Sequence, residues 1–248
     1  MSASYHEARI LTGPRPRALL VDVGFTLTFW DGARIAAHAA ASGVPVEAAA
    51  IERAEILIRG ETREREGVPL RTHDDGGRRY LDGVFARALR LAGATADDAV
   101  LGSAAAYIHG QHLRSNVWRR VGAGNREALE RLRAAGFRLA VVSNSEGTID
   151  AMLGEVGLRP YFETIVDSAV VGSVKPDARI FQIALERLAL LPADVMMIGD
   201  LPTADIFGPR ALGIRAALID PHDLHPWVPA PRYPDVAAFT EALVGLSS

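Results

Sequence analysis

"LLVDVGFTLTFWD", residues 19–31, decides how the chain is read. Leu19–Val21 extend an apolar run that begins at Ala18, the pattern of a strand buried on both faces. The run delivers one carboxylate, Asp22, to a loop holding Gly24, Phe25 and Thr26. Two residues beyond Asp22, where a second carboxylate would make an acid–base pair, stands Gly24.

Outward from that stretch the chain changes character twice. From about Asp31 to Leu113 it is helical: "ARIAAHAAASG", "VEAAAIERAEILIRGETRERE", "RRYLDGVFARALRLAG" and "ADDAVLGSAAAYIHGQHL" place apolar residues at i, i+3, i+4 and end near glycine or a polar break. This predicts a four-helix bundle over 31–113. Beyond Asn116 helix and strand alternate. "NREALERLRAAG", "TIDAMLGEVG", "PDARIFQIALERLAL", "TADIFGPRALG" and "VAAFTEALVGL" read as helices. "FRLAVVSN", the region "ETIVDSAVV", "DVMMIGD" and "IRAALID" read as strands. Continuous apolar strands separated by helices predict a parallel sheet covered on both faces, an α/β Rossmann-like three-layer core formed by 1–30 and 114–248. Sites in such sheets lie in the crevice beyond the carboxyl ends of the strands.

The residues that can carry chemistry fall at those ends. Asp22 follows "LLV", Ser143 follows "LAVV", Asp200 follows "MMIG", and Lys175 stands in the loop after "TIVDSAVV". Lys175 is the only lysine in a chain otherwise rich in arginine. A position that keeps lysine against that bias suits a compact ammonium rather than a planar guanidinium. A carboxylate, an ammonium, a hydroxyl and the acidic pair Asp200 and Asp205 of "GDLPTAD" suit phosphoryl transfer. The dianion needs a divalent cation and a lysine to offset its charge, with hydroxyl and backbone donors on its oxygens. Mg²⁺ takes hard oxygen ligands of this kind, and aspartate can attack phosphorus to form an acyl phosphate.

The parts "DVGFTL", "VVSN", "VGSVKPDARIF" and "IGDLPTADIFGPRALG", within Arg17–Ile219, resemble the haloacid dehalogenase superfamily of hydrolases, and the helical insertion resembles the cap of its first subgroup. The resemblance implies Asp22 as nucleophile, with Ser143 and Lys175 holding the transferred group. It implies Mg²⁺ bound by Asp22, Asp200 and the backbone carbonyl of Gly24, with Asp205 in support. Substrate contacts are implied at Gly24, Phe25, Thr26, Ser143, Asn144 and Lys175, with Phe25 facing the cap. Cap movement is expected about hinges near Trp30–Gly32 and Ser115–Val121. The departure is Gly24, because the superfamily's phosphatases carry there the aspartate that protonates the leaving oxygen. General acid–base catalysis is typically worth about 10²–10⁴ in rate, so activity on ordinary monoesters is expected to be impaired or specialised for leaving groups that need no proton. A binding or regulatory protein that keeps the phosphate pocket is a second reading. Dehalogenation is a third, but it needs no metal and leaves "GDLPTAD" unexplained. Phosphonate cleavage through a cap lysine is disfavoured, since 31–113 contain none.

Other features bound the partners. A net charge of −3 gives no footprint for nucleic acid or an anionic membrane. The absence of cysteine excludes disulfides and thiolate chemistry. No signal-peptide core or membrane-length apolar run stands out, so a cytoplasmic protein is expected, monomer or homodimer, acting on a small phosphorylated substrate. His73, Asp74, Asp75, Arg78, Arg79, His109 and His112 are candidate substitutes for the missing acid, each expected on a solvated helix face. So is the arginine excess of "RGETRERE" and "GGRRY". "GAGNRE" at 122–127 is expected to start a helix without a clear strand before it. "PHDLHP" at 221–226 is expected to be a turn rather than a metal site. Trp118 is expected at the junction of core and insertion, and Trp227 under the C-terminal loop.

Overall fold

The computed structural model describes residues 14–61 and 78–245. Its contacts divide the chain into two units, one built from residues up to Phe29 and from Val121 onward, the other from Trp30–Arg120.

The first unit is organised by a six-stranded parallel sheet. Its strands are β1 (Ala18–Val21), β4 (Arg138–Ser143), β5 (Thr164–Asp167), β6 (Val195–Gly199), β7 (Arg215–Ile219) and β8 (Arg232–Tyr233), in the order β5-β4-β1-β6-β7-β8. Successive side chains alternate across it. Leu19, Val141, Met196 and Ile198 face a core closed by α5 (Asn125–Ala134), α6 (Ile149–Glu155) and α10 (Val236–Gly245). Leu20, Ala140, Val142, Met197 and Leu218 face the opposite core, closed by α8 (Ala178–Leu188). Both faces are buried, so these strands are apolar without alternation. The parallel register pairs Val21 with Val141 and with Ile198, which brings the carboxyl ends of β1, β4 and β6 level. Strand order reverses about β1, and the crevice of such a sheet opens at that switch.

The second unit holds α1 (Gly32–Ala41), α2 (Ala48–Glu61), α3 (Arg78–Leu91) and α4 (Asp98–His112). They pack α1 on α2 and α4, α2 on α3, and α3 on α4, over buried Trp30, Ile35, Ile51, Phe85 and Ile108. Asp31 starts α1 by accepting from the Arg34 N–H at 3.0 Å, and Asp97 starts α4 through Val100 N–H at 2.8 Å. The chain passes between the units within β2 (Thr28–Trp30) and β3 (Trp118–Val121), which pair as a two-stranded sheet.

Several local expectations are corrected. "VWRRV" does contain a strand, β3, before the helix start at 125. "ETIVDSAVV" is a strand only to Asp167, whose carboxylate accepts from Ala169 N–H and turns the chain into the short helix α7 (Ser168–Val171). "TADIFGPRALG" begins as a π-helical turn, Pro202–Phe207, before α9 (Gly208–Ala211). His109 and His112 are buried rather than solvated. His109 Nδ1 lies 2.9 Å from Asp82 Oδ1, and the His112 Nδ1 accepts from Val117 N–H at 3.2 Å. Trp118 packs edge-on against Trp30, while Trp227 is 39% exposed and stacks on Phe207. His73, Asp74 and Asp75 and most of the two arginine-rich stretches lie outside the described residues, and the Arg78 and Arg79 side chains are not described. Among the described residues no helix is long and apolar enough to cross a membrane.

Glu55 ties the ends of the second unit together. Buried in α2, it accepts from the Trp30 N–H at 2.8 Å and from Arg120 Nη2 at 3.3 Å. Burial pushes its carboxyl up to about 7, against the opposing pull of the Trp30 N–H, Arg120 and Arg59. A carboxyl raised in the folded state favours the protonated fold, so stability is lost as pH rises from about 4.5 to about 7. Glu55→Gln keeps an acceptor for Trp30 and cannot ionise. Urea denaturation is expected to find it about 1–2 kcal/mol more stable than the parent at pH 8 and no more stable at pH 5; a pH-independent difference would contradict this account.

Candidate active site

The site is built where β1, β4 and β6 end. Asp22 follows β1, with its N–H donating to Ile198 O at 2.9 Å, and Ser143 is the last residue of β4. Asp200 follows β6, and Asp205 sits on the π-helical turn that begins two residues later. Gly199 must be glycine for this to close: a Cβ there would lie 2.3 Å from Asp205 Cγ. Lys175 arrives on the loop between α7 and α8. That loop is fixed by Asn144, whose Oδ1 accepts from the Lys175 N–H at 2.7 Å while its Nδ2 donates to Lys175 O at 3.0 Å. The Lys175–Pro176 peptide is cis.

These elements bring Asp22, Ser143, Lys175, Asp200 and Asp205 into one buried cluster. Lys175 Nζ donates to Asp22 Oδ1 and to Asp205 Oδ1, both at 2.7 Å. Ser143 Oγ donates to Asp22 Oδ1 at 3.3 Å, and Thr26 Oγ1 to Asp22 Oδ2 at 3.4 Å. Leu201 N–H holds the other Asp205 oxygen at 2.9 Å. Burial pushes the Asp205 carboxyl up to about 6 despite the Lys175 ammonium, with the Asp22 charge pushing the same way. Burial also works against the Lys175 charge, but Asp205 and Asp22 outweigh it and hold its pKa above the ordinary lysine range. At neutral pH an ammonium therefore stands between carboxylates.

Asp22, Asp200 and Asp205 can offer ligand atoms that all lie within 4.8 Å of one another, the one such acidic or histidine group among the described residues. An all-oxygen set of this kind fits a hard cation such as Mg²⁺ rather than a thiophilic metal. Both Asp205 oxygens are engaged, by Lys175 and by Leu201 N–H, so Asp205 suits orienting the lysine more than ligating the ion directly. Asn144, expected among substrate contacts, has its amide committed to the Lys175 backbone. Phe25 has φ +58°, in the left-handed region where a bulky side chain is an outlier. "PHDLHP" is a turn in which Asp220 accepts from the N–H groups of Leu224 and His225, at 2.8 and 2.9 Å.

Sequence reading missed Asn125, which is buried and bonds to the loop after Asp22. Asparagine beside glycine at a helix start reads as a cap; only tertiary contact distinguishes the two roles.

The haloacid dehalogenase-like hydrolase family matches residues 17–213. Human haloacid dehalogenase-like hydrolase domain-containing protein 3 is 32% identical over 199 residues, 79% of this chain and 78% of that protein. Ribulose-1,5-bisphosphate 5-phosphatase of Halopiger xanaduensis is 34% identical over 99 residues, 40% of this chain and 41% of that one. In fold, the chain is similar to the HAD-hydrolase YfnB of Bacillus subtilis in a magnesium-bound crystal form, with TM-score 0.62 and 22% identity over 93% of this chain and 99% of that one.

Lys175→Met removes the ammonium from between Asp22 and Asp205. Taking one partner from a buried ion pair costs about 3–5 kcal/mol. The Asp205 carboxyl, already raised by burial, then loses the Lys175 charge that lowers it, so protonation relieves it and the loss grows with pH. Urea denaturation is expected to find Lys175→Met less stable by about 3 kcal/mol at pH 7.5 and by clearly less at pH 5; an equal loss at both would refute the charge argument.

Proposed function

The chain belongs to the haloacid dehalogenase-like hydrolases, and we propose that it is a magnesium-dependent phosphohydrolase or phosphotransferase acting on a small phosphorylated metabolite through Asp22. The observation that carries this reading is Lys175 Nζ, 2.7 Å from both Asp22 and Asp205 in a buried cluster with Asp200 and Ser143. An ammonium beside a nucleophilic carboxylate is what an incoming phosphoryl dianion requires.

In this mechanism Asp22 attacks phosphorus, the bond from phosphorus to the leaving oxygen breaks, and an aspartyl phosphate forms. Water then cleaves it, returning the Asp22 carboxylate and inorganic phosphate; a second acceptor in place of water gives transfer. Of the Asp22 oxygens, Oδ1 is held by Lys175 and Ser143, whereas Oδ2 has the single long contact from Thr26 Oγ1 at 3.4 Å, which makes Oδ2 the attacking atom. Lys175 and Ser143 donate to the phosphoryl oxygens, and Asp205 keeps the lysine in position. Asp22, Asp200 and the Gly24 carbonyl, with Asp205 in support, would hold Mg²⁺, which would supply further positive charge against the phosphoryl group. With glycine at position 24 the leaving oxygen takes its proton from elsewhere, which favours acyl phosphates and other good leaving groups.

Gly24 itself favours a second reading, a protein that binds a phosphorylated ligand without turning it over. Dehalogenation is a weaker alternative, since it gives Asp200 no task.

Phosphate release from acetyl phosphate, p-nitrophenyl phosphate and sugar phosphates separates these. Acetyl phosphate hydrolysis is expected, lost in Asp22→Asn and on chelation with EDTA and restored by Mg²⁺. Gly24→Asp is expected to raise the rate on sugar phosphates by roughly 10² or more. Ligand binding with no turnover by either the parent or Gly24→Asp would favour the binding protein and refute the hydrolase.

A further inference from the structure

We infer that Asn125 is a positioning residue that holds the Asp22–Thr28 loop in the conformation that presents Asp22; this rests on the phosphohydrolase reading. The stretch "GAGN", residues 122–125, starts α5 and by sequence does no more than that. An asparagine at a helix start ordinarily turns its side chain back onto the helix's own first N–H groups. Here Gly124 occupies the cap position, and Asn125 reaches instead across 98 and 99 positions of sequence. Its Nδ2 donates to Leu27 O at 2.9 Å and to Thr26 O at 3.1 Å. Two carbonyls facing one amide end fix that end as the NH₂ group.

The loop needs such a hold. Phe25 lies at φ +58°, where L side chains are strained. Within the loop, Phe25 N–H donates to Thr28 O at 2.7 Å, and the N–H groups of Leu27 and Thr28 converge on Val23 O at 2.8 and 2.9 Å. These bonds leave the carbonyls of Thr26 and Leu27 pointing away from the loop. Asn125 takes both, and Gly122 N–H adds a further bond to Leu27 O at 2.9 Å. A strained conformation persists only when its surroundings over-determine it, and these three bonds are that surrounding. Thr26, whose carbonyl Asn125 holds, is the residue whose hydroxyl meets Asp22 Oδ2. The route from Asn125 to the nucleophile is thus one residue long.

Gly122 completes the device. A Cβ at Gly122 would lie 2.5 Å from Asn125 Nδ2 and 2.8 Å from Phe29 Cε2, so glycine there is what lets the amide approach the loop. Asn125 is 2% exposed and touches no group proposed to react. Its effect must therefore pass through the loop, where a displacement near 1 Å can cost about 10² in rate.

The test compares the full-length parent with Asn125→Ala, Asn125→Asp and Asn125→Ala/Phe25→Gly, with Asp22→Asn as the zero. Each is assayed on acetyl phosphate well below its own unfolding temperature, and amide hydrogen exchange is followed over residues 23–28. Asn125→Ala is expected to lower kcat by about 10–100-fold with KM within about threefold. Asn125→Asp, which turns a carboxylate onto two carbonyls, is expected to be worse. Exchange over 23–28 is expected to quicken in Asn125→Ala while β4 is unchanged. In Asn125→Ala/Phe25→Gly the quickened exchange over 23–28 is expected to fall back toward the parent's, because glycine adopts positive φ without strain. If neither the parent nor Gly24→Asp turns over but exchange quickens only in the loop, the phosphohydrolase reading falls and the hold on the loop stands. Unchanged loop exchange, an unchanged kcat in an active enzyme, or exchange quickened equally throughout would each overturn the inference.

Discussion

A buried ammonium between two carboxylates sets the terms for the rest of this structure. Lys175, Asp22 and Asp205 are all nearly inaccessible to water, and each would be costly to bury alone. Their mutual 2.7 Å contacts make burial tolerable only if three segments distant in sequence arrive together. The parallel register supplies two of those arrivals, since β1 and β6 end level and release Asp22 and the turn that carries Asp205. Asn144 supplies the third by bonding both backbone polar groups of Lys175. Ser168 braces the same region, its hydroxyl accepting from Ser145 N–H at 2.9 Å and donating to Ser145 O at 3.0 Å.

Small residues in the site follow from that crowding. Gly199 admits the Asp205 carboxylate against the strand end, and Leu201 N–H then holds the oxygen that Lys175 does not. The π-helical turn widens the backbone so that Asp205 faces back toward β6 while its N–H still bonds Leu201 O at 2.7 Å. Such turns recur at functional positions because they re-aim one residue without ending the helix. Asp205 is thereby fixed through both side-chain oxygens and its backbone, which suits a group whose task is to orient another.

Much of this was legible in the sequence, for a physical reason. Strands buried on both faces must be apolar throughout, so a polar residue at the end of such a run announces the sheet's edge, as Asp22, Ser143 and Asp200 do. The solitary lysine added the fourth member. What stayed hidden depends on contacts rather than pattern. β2 and β8 have three and two residues, too few for any period to register. "DSAVV" is rich in β-branched and small residues and reads as strand, yet Asp167 caps a helical turn there. His109 and His112 lie on α4, a helix apolar on most sides, so spacing alone could not tell which face is buried.

Gly24 separates two requirements that a complete acid–base site would satisfy together. Charge neutralisation at Asp22 depends on Lys175, with Ser143 adding a hydrogen bond, and neither needs a side chain at position 24. Proton delivery to a leaving group does need one, and Thr26, whose hydroxyl is turned toward Asp22, is not an acid that can replace it. On the proposed reading the chain therefore keeps the electrostatic part of the barrier reduction, usually the larger, and forgoes the proton-transfer part. The rate then depends on how well the leaving oxygen bears negative charge. Selectivity among phosphorylated compounds would rest on that property before any contact with the rest of the substrate.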